Sequence, residues 1–203
     1  MFVFGVIPLG FKEAEKALAG IQNGYPKAAA DAINRGLLAG RTAAAKSISA
    51  RYAITSTNVK SGFEMKKATW SDLTGHLMAK GPMMKVSAFH INVKVVKGHT
   101  FVSAIIIKGQ KKLIKGAFQL PDGRIMERRQ PSKFPIFPVM TIGIPPMAGE
   151  TGVSKEIQNI INKATSDRLK HNTTYALERL HKDSARVRAK ARQKLTAKEA
   201  SLK

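Results

Sequence analysis

The chain has 203 residues, room for one large domain or a domain with an appendage, and its 43% hydrophobic content is modest but enough for one core. A formal net charge of +22 makes the isolated molecule repel itself, which favours an anionic partner: nucleic acid first, an acidic protein or membrane surface second. With no cysteine, disulfides and thiolate metal sites are excluded.

Residues 2–9 alternate loosely and predict a first strand ending at Pro8. The apolar start lacks a basic leader and is broken by Gly5, Pro8 and Gly10, so no secretory signal is expected. No apolar run nears the ~18 residues of a membrane span, which predicts a soluble chain. A short helix from Phe11 to Ala19 follows, stopped by Gly20 and Gly24. Pro26 stands where a second helix would place its first residue. That helix runs to Tyr52 with Ile33, Leu37, Gly40, Ala44 and Ile48 on one face. Gly36 and Gly40, four apart among alanines, predict close approach of another backbone in a soluble core. Arg35 and Arg41 beside them exclude a membrane motif.

Thr55 to Lys60 reads as a turn or a short helix capped by a hydroxyl. Composition then shifts from alanine to β-branched and aromatic residues. Strands are predicted at Phe63–Ala68, Gly75–Met78, Val86–Phe89, Ile91–Val96 and Phe101–Ile107, punctuated by Gly81-Pro82, Gly98 and Gly109. Ile91, Val93 and Val95 alternate with Asn92 and Lys94, so one face should be buried and the other wet.

From Lys108 to Pro146 the chain carries the features around which the functional reading turns. Asp122-Gly123 sits between Gly116–Leu120 and Arg124–Arg129, a hairpin signal because Gly tolerates positive φ. Lys108 to Lys133 holds eight basic residues against Asp122 and Glu127. Pro131, Pro135, Pro138, Pro145 and Pro146 follow, and their missing donors put this run at a sheet edge or in an extended arm. A displayed basic hairpin with an arm is expected.

After Gly149 an apolar stripe of Val153, Ile157, Ile160, Ile161, Ala164, Leu169, Ala176, Leu177 and Leu180 predicts a long helix. From Val153 to Leu195 it would span roughly 65 Å at ~1.5 Å per residue, more than one domain of this size needs. Beyond Leu180 the stripe thins to Val187 and Leu195, and Arg186, Arg188, Lys190, Arg192 and Lys194 spread positive charge around the helix. This end is expected to fray or to be a disordered basic tail until something anionic orders it. The fold class expected is α+β: an antiparallel sheet packed on the N-terminal alanine-rich helix, with a long C-terminal helix. The expected division is 1–151 for the core domain and 152–203 for the helix and its basic tail.

Catalytic chemistry finds no purchase. His76, His90, His99, His171 and His181 form no HxH or HxxxH pair and have no carboxylate cluster nearby. Gly109 to Gly116 has a superficial likeness to a phosphate loop but lacks its spacing and its Lys-Ser/Thr end. Thirteen scattered acids argue against paired-carboxylate hydrolysis, and no nucleophile elbow is present. No enzyme, cofactor or metal is expected. Aromatic content of 6%, not interleaved with the basic run, argues against a base-stacking platform and leaves phosphate electrostatics without sequence readout.

Several segments, in order, resemble the phage minor tail protein Z family. They are Ala32-Ile33-Asn34-Arg35 leading to Arg51-Tyr52-Ala53-Ile54, and Lys67-Ala68-Thr69-Trp70-Ser71-Asp72-Leu73. Lys115-Gly116-Ala117-Phe118, Gly123-Arg124 with Glu127-Arg128, and Phe137-Pro138-Val139 follow, with a closing helix from near Val153. The departure is in the arm, where Ile142-Gly143-Ile144-Pro145-Pro146-Met147 replaces a Gly-Pro-Ser-Val-Pro-like turn. The resemblance implies a virion protein assembled in the host cytoplasm. It implies a ring of copies, a hexamer, at the head-proximal end of a long tail, joining tail tube to head connector around the DNA passage. The exposed basic set expected to face DNA or an interface is Lys111, Lys112, Lys115, Arg124, Arg128 and Arg129, with Arg186, Arg188, Lys190 and Arg192. Phe134, Phe137 and Pro138 are expected to be the arm's subunit contacts. The alternative is a free DNA-binding or packaging protein acting through phosphates.

Overall fold

The computed structural model describes residues 1–7, 9–96, 99–130 and 132–200, and side-chain surroundings for these except 96, 99 and 191–200. The expectations at Pro8, Gly98 and Pro131, and the side chains of Arg192, Lys194 and Leu195, lie outside the described residues. The elements in order are β1 (Phe2–Gly5), α1 (Phe11–Leu18), α2 (Gly24–Arg51), α3 (Ser56–Ser61), β2 (Phe63–Lys66), β3 (His76–Ala79) and β4 (Met84–Lys85). Then come β5 (His90–Val96), β6 (His99–Ile105), β7 (Lys111–Ile114), β8 (Ala117–Gln119), β9 (Ile125–Arg128), β10 (Ile136–Pro138), β11 (Met140–Thr141), α4 (Ile144–Gly149) and α5 (Thr151–Ala200). The expected α+β class is observed. No helix among the described residues is long and apolar enough to cross a membrane.

Small residues make the central contact possible. Along α2, Ala32, Gly36, Gly40 and Ala44 recur every four residues and are buried, while α5 places Val153, Ile157, Ile161, Thr165 and Leu169 at the same spacing, also buried. The helices run antiparallel: Asn172 bonds to the carbonyl of Ala28, Arg168 to Asp31 and Glu156 to Ser47. A Cβ on Gly36 would stand 1.9 Å from Thr165 Oγ1, and one on Gly40 would stand 2.3 Å from Ile161 Cγ1. The glycine spacing therefore serves close packing, as expected. Thr165, buried, donates to the carbonyl of Ile161 at 2.8 Å and leaves no orphan hydroxyl.

One end of this pair is tied by polar contacts. Arg51 pairs with Glu150, and Tyr52 Oη donates to Glu150 at 3.2 Å. Burial and the Glu150 carboxylate push the Tyr52 phenol up. The sheet β1-β3-β2 places Phe4, Leu77, Ala79 and Phe63 in the core that α2 and α5 share. The remaining strands form three further antiparallel sheets, β5-β6-β7, β10-β9-β8 and β11-β4, around a smaller core of Val86, Val102, Ala104, Ala117, Ile125 and Val139. The single sheet expected is thus several small ones.

Four further expectations change. Val86–Phe89 is not a strand but a 3-10 turn over Val86–Ala88, with Phe89 N–H donating to Val86 O at 3.0 Å. Val86 and Phe89 are both buried, Val86 in the smaller core and Phe89 in the core that α2 and α5 share, and the turn between them feeds the two. Pro26 lies two residues inside α2, which starts at Gly24, still in a first turn where no N–H partner is required. Pro145 and Pro146 start α4, with Pro145 buried, instead of extending the arm. Finally, Ile91 and Val93 pack on the smaller core but Val95 is 68% exposed, because the β5–β6 hairpin outruns that core. As expected, α3 is a short hydroxyl-capped helix, with Thr55 accepting from Asn58 N–H.

Candidate interaction surfaces

The basic hairpin forms where Asp122-Gly123 predicted it. Leu120 N–H donates to Arg124 O and Gly123 N–H to Leu120 O, both at 2.9 Å, and Gly123 adopts φ +84°, a conformation that a side chain would strain. β8 and β9 then pair with Phe118 opposite Met126. The predicted basic residues do not form one patch in a single sheet. Lys111 and Lys112 sit on β7, opposite Ile105 and Ala104 of β6, Lys115 follows β7, and the three arginines belong to β9 and its flanks.

All six are exposed, but the arginines already have partners inside the chain. Arg124 Nε donates to Asp122 at 2.6 Å, and Arg129 Nε to Glu127 at 2.9 Å. Arg124 N–H and guanidinium hold the Asp122 carboxyl below its ordinary range. The Arg128 guanidinium lies 4.3 Å from the centre of the Phe118 ring, and Arg129 lies 4.9 Å from that of Phe137. Lys111, Lys112 and Lys115 have no ion pair among the described residues.

The arm folds back on its own hairpin. Ile136, Phe137 and Pro138 of β10 lie opposite Arg128, Glu127 and Met126 of β9, so Phe137 and Pro138 are half-buried contacts within the chain. Pro138 is on an edge strand, where its missing N–H costs no ladder bond. Val139 beyond it is buried and bonds to Ile125 and Val86. Of the three predicted arm contacts, only Phe134 is fully displayed, at 73% exposed.

The C-terminal element has two unlike halves. From Val153 to Leu169 α5 buries a side chain every turn; Ala176 and Leu177 are the last to pack on the core. From Glu178 to Lys190 every residue is exposed, Leu180 and Val187 included, and the helix continues to Ala200 where fraying was expected. At ~1.5 Å per residue, residues 178–200 reach roughly 35 Å beyond the last core contact. Among the described residues no ion pair engages Arg179, Lys182, Arg186, Arg188 or Lys190.

Two exposed apolar features went unremarked in the sequence. Phe101 and Leu113 lie on the outer face of β5-β6-β7 beside Lys94 and Lys111. Trp70, the chain's one tryptophan, is 62% exposed in the segment between β2 and β3. A turn-rich Thr-Trp-Ser-Asp run is the signal that would have pointed to it. No group of three or more His, Asp and Glu among the described residues is placed to hold a metal.

An α+β body with exposed basic and apolar faces and one long, half-unsupported helix offers surfaces for contact with other molecules. The chain belongs to the prophage minor tail protein Z family, whose model matches residues 9–183. It is therefore a phage minor tail protein, a virion component that acts with other phage structural proteins, in a family not normally enzymatic. No curated protein and no solved structure matches the chain.

Proposed function

We propose that the protein closes the head-proximal end of a phage tail as a ring of copies, a hexamer, and joins tail to head connector around the DNA passage. The observation that carries this reading is the exposed half of α5. A helix whose described residues from Glu178 to Lys190 are all exposed gains nothing there from its own core, and contact with another body would give that length a use. In this reading residues 1–151 form the body of each subunit, and 152–203 supply the long helix, anchored on that body and reaching beyond it, with its basic tail. Phe134 offers the arm's free contact to the next copy, and Lys111, Lys112 and Lys115 line the surface toward DNA. Assembly takes place in the host cytoplasm.

Electron microscopy of particles made without the protein tests this. Separate heads and tails are expected. Joined particles that still deliver DNA would refute the role.

The second reading, a phosphate-binding DNA or packaging protein, draws on the absence of ion pairs around Arg186, Arg188 and Lys190 among the described residues. Duplex binding by a chain ended at Lys182 should then weaken less steeply with salt, by about 0.9 in the log–log slope for each phosphate contact removed. An unchanged slope would dismiss that role for the helix end.

A further inference from the structure

We infer that Trp70 and the groove beside it form a docking site for an acidic protein surface, distinct from this chain's own copies. The turn that carries Trp70 is built to stay put. Asn34 of α2 clamps the Ala68 peptide from both sides, accepting from its N–H at 2.8 Å and donating to its carbonyl at 2.9 Å. Thr69 N–H donates to Asp72 O at 2.8 Å, and Asp72 N–H returns to Thr69 Oγ1 at 3.0 Å. The Asp72 carboxylate accepts from Thr74 N–H at 2.9 Å and pairs with Lys66 at 3.4 Å. A large aromatic side chain is thus held in water on a loop that has little ordering left to lose, the condition under which an anchor residue contributes most to association.

Asn34 also joins this turn to a groove of about 550 Å³, lined by Arg35, Leu38, Met65, Lys67 and the Arg168–Asp31 pair. Leu38 is exposed on the outer side of α2, and Met65 is half-buried. Arg35 and Lys67 have no ion pair among the described residues. The groove thus sets two aliphatic side chains within a positive rim, and the turn that carries Trp70 adjoins it through Asn34 and Lys67. Its complement carries carboxylates around an apolar centre.

A second copy does not supply that complement. Asp31, Glu64, Asp72, Asp122, Glu127 and Glu150 are already in ion pairs within the chain. Each remaining acid, Glu13, Glu15, Glu156, Asp167, Glu178, Asp183 or Glu199, has a Lys or Arg as its immediate neighbour in sequence. Six of its thirteen acids are thus already paired, which leaves a second copy few carboxylates to offer this groove.

Because Trp70 is the only tryptophan, its fluorescence reports the site directly in the full chain. The probe is a capped peptide alternating glutamate with leucine and phenylalanine, set against the same peptide with glutamine for glutamate. A saturable blue shift with the glutamate peptide is expected, with affinity at least ~10-fold above the glutamine peptide. Lys67→Glu and Arg35→Glu, surface changes that keep the fluorophore, should each weaken it by ~10-fold while leaving the circular dichroism spectrum unaltered. The inference is overturned by an unmoved emission, or by equal shifts with both peptides. A shift produced instead by duplex DNA or by raising the protein concentration alone also overturns it.

Discussion

The first half of α5 and its second half obey different rules along one continuous helix. Through Leu169 the side chains at every fourth position are buried, with Ile161 and Thr165 locked against Gly36 and Gly40 of α2, so sequence there is dictated by shape. From Glu178 to Lys190 no such partner is found among the described residues, charge replaces volume, and Val187 stands 66% exposed. Helical structure can therefore extend beyond the core that nucleates it, and where burial ceases the sequence is free to serve a different surface.

The largest effect separating the halves should come from Ile161→Ala. It removes a fully buried side chain and should cost about 2–5 kcal/mol in denaturant unfolding, against less than ~0.5 kcal/mol for Val187→Ala. Equal costs would erase the distinction. Gly36→Ala comes next: its Cβ would meet Thr165 Oγ1 and the Ile161 carbonyl, and overpacking of about 1–3 kcal/mol is expected in the same assay. A neutral result would mean that the helices are not in close contact there.

The smallest effect lies in the acid limb. The Asn172 amide, then the Arg168 guanidinium, hold the Asp31 carboxyl below its ordinary value, against the opposing effect of partial burial. A carboxyl depressed in the folded state contributes stability above its unfolded pKa of about 3.9 and loses it as pH falls through the folded value. Half-exposed as it is, Asp31→Asn should lower stability at pH 7 by under ~1 kcal/mol, and the difference should vanish in strong acid. A difference that persists there would place the effect in packing instead.

Much of the body was legible because local rules and tertiary structure agree. The Gly36/Gly40 spacing announced the close contact, and Asp122-Gly123 announced its turn. Legibility failed where a distant partner decides. Val86 and Phe89 fold into a 3-10 turn because Val139 from the arm supplies the bond that a neighbouring strand was expected to make. Arg128 and Arg129 read as free charge, but the rings of Phe118 and Phe137 on the neighbouring strands lie against their guanidinium groups. Trp70 was visible in sequence only as a residue type; the turn that displays it is fastened by Asn34, far back along α2, through the Ala68 backbone.

The most direct test replaces the full-length protein in assembling particles with a chain ended at Lys182 and counts joined heads and tails by electron microscopy. The melting temperature of the shortened chain should match that of the full chain, because the described residues it removes make no core contact, while joining should fall to the level seen without the protein. Full joining by a normally folded, shortened chain would contradict the account.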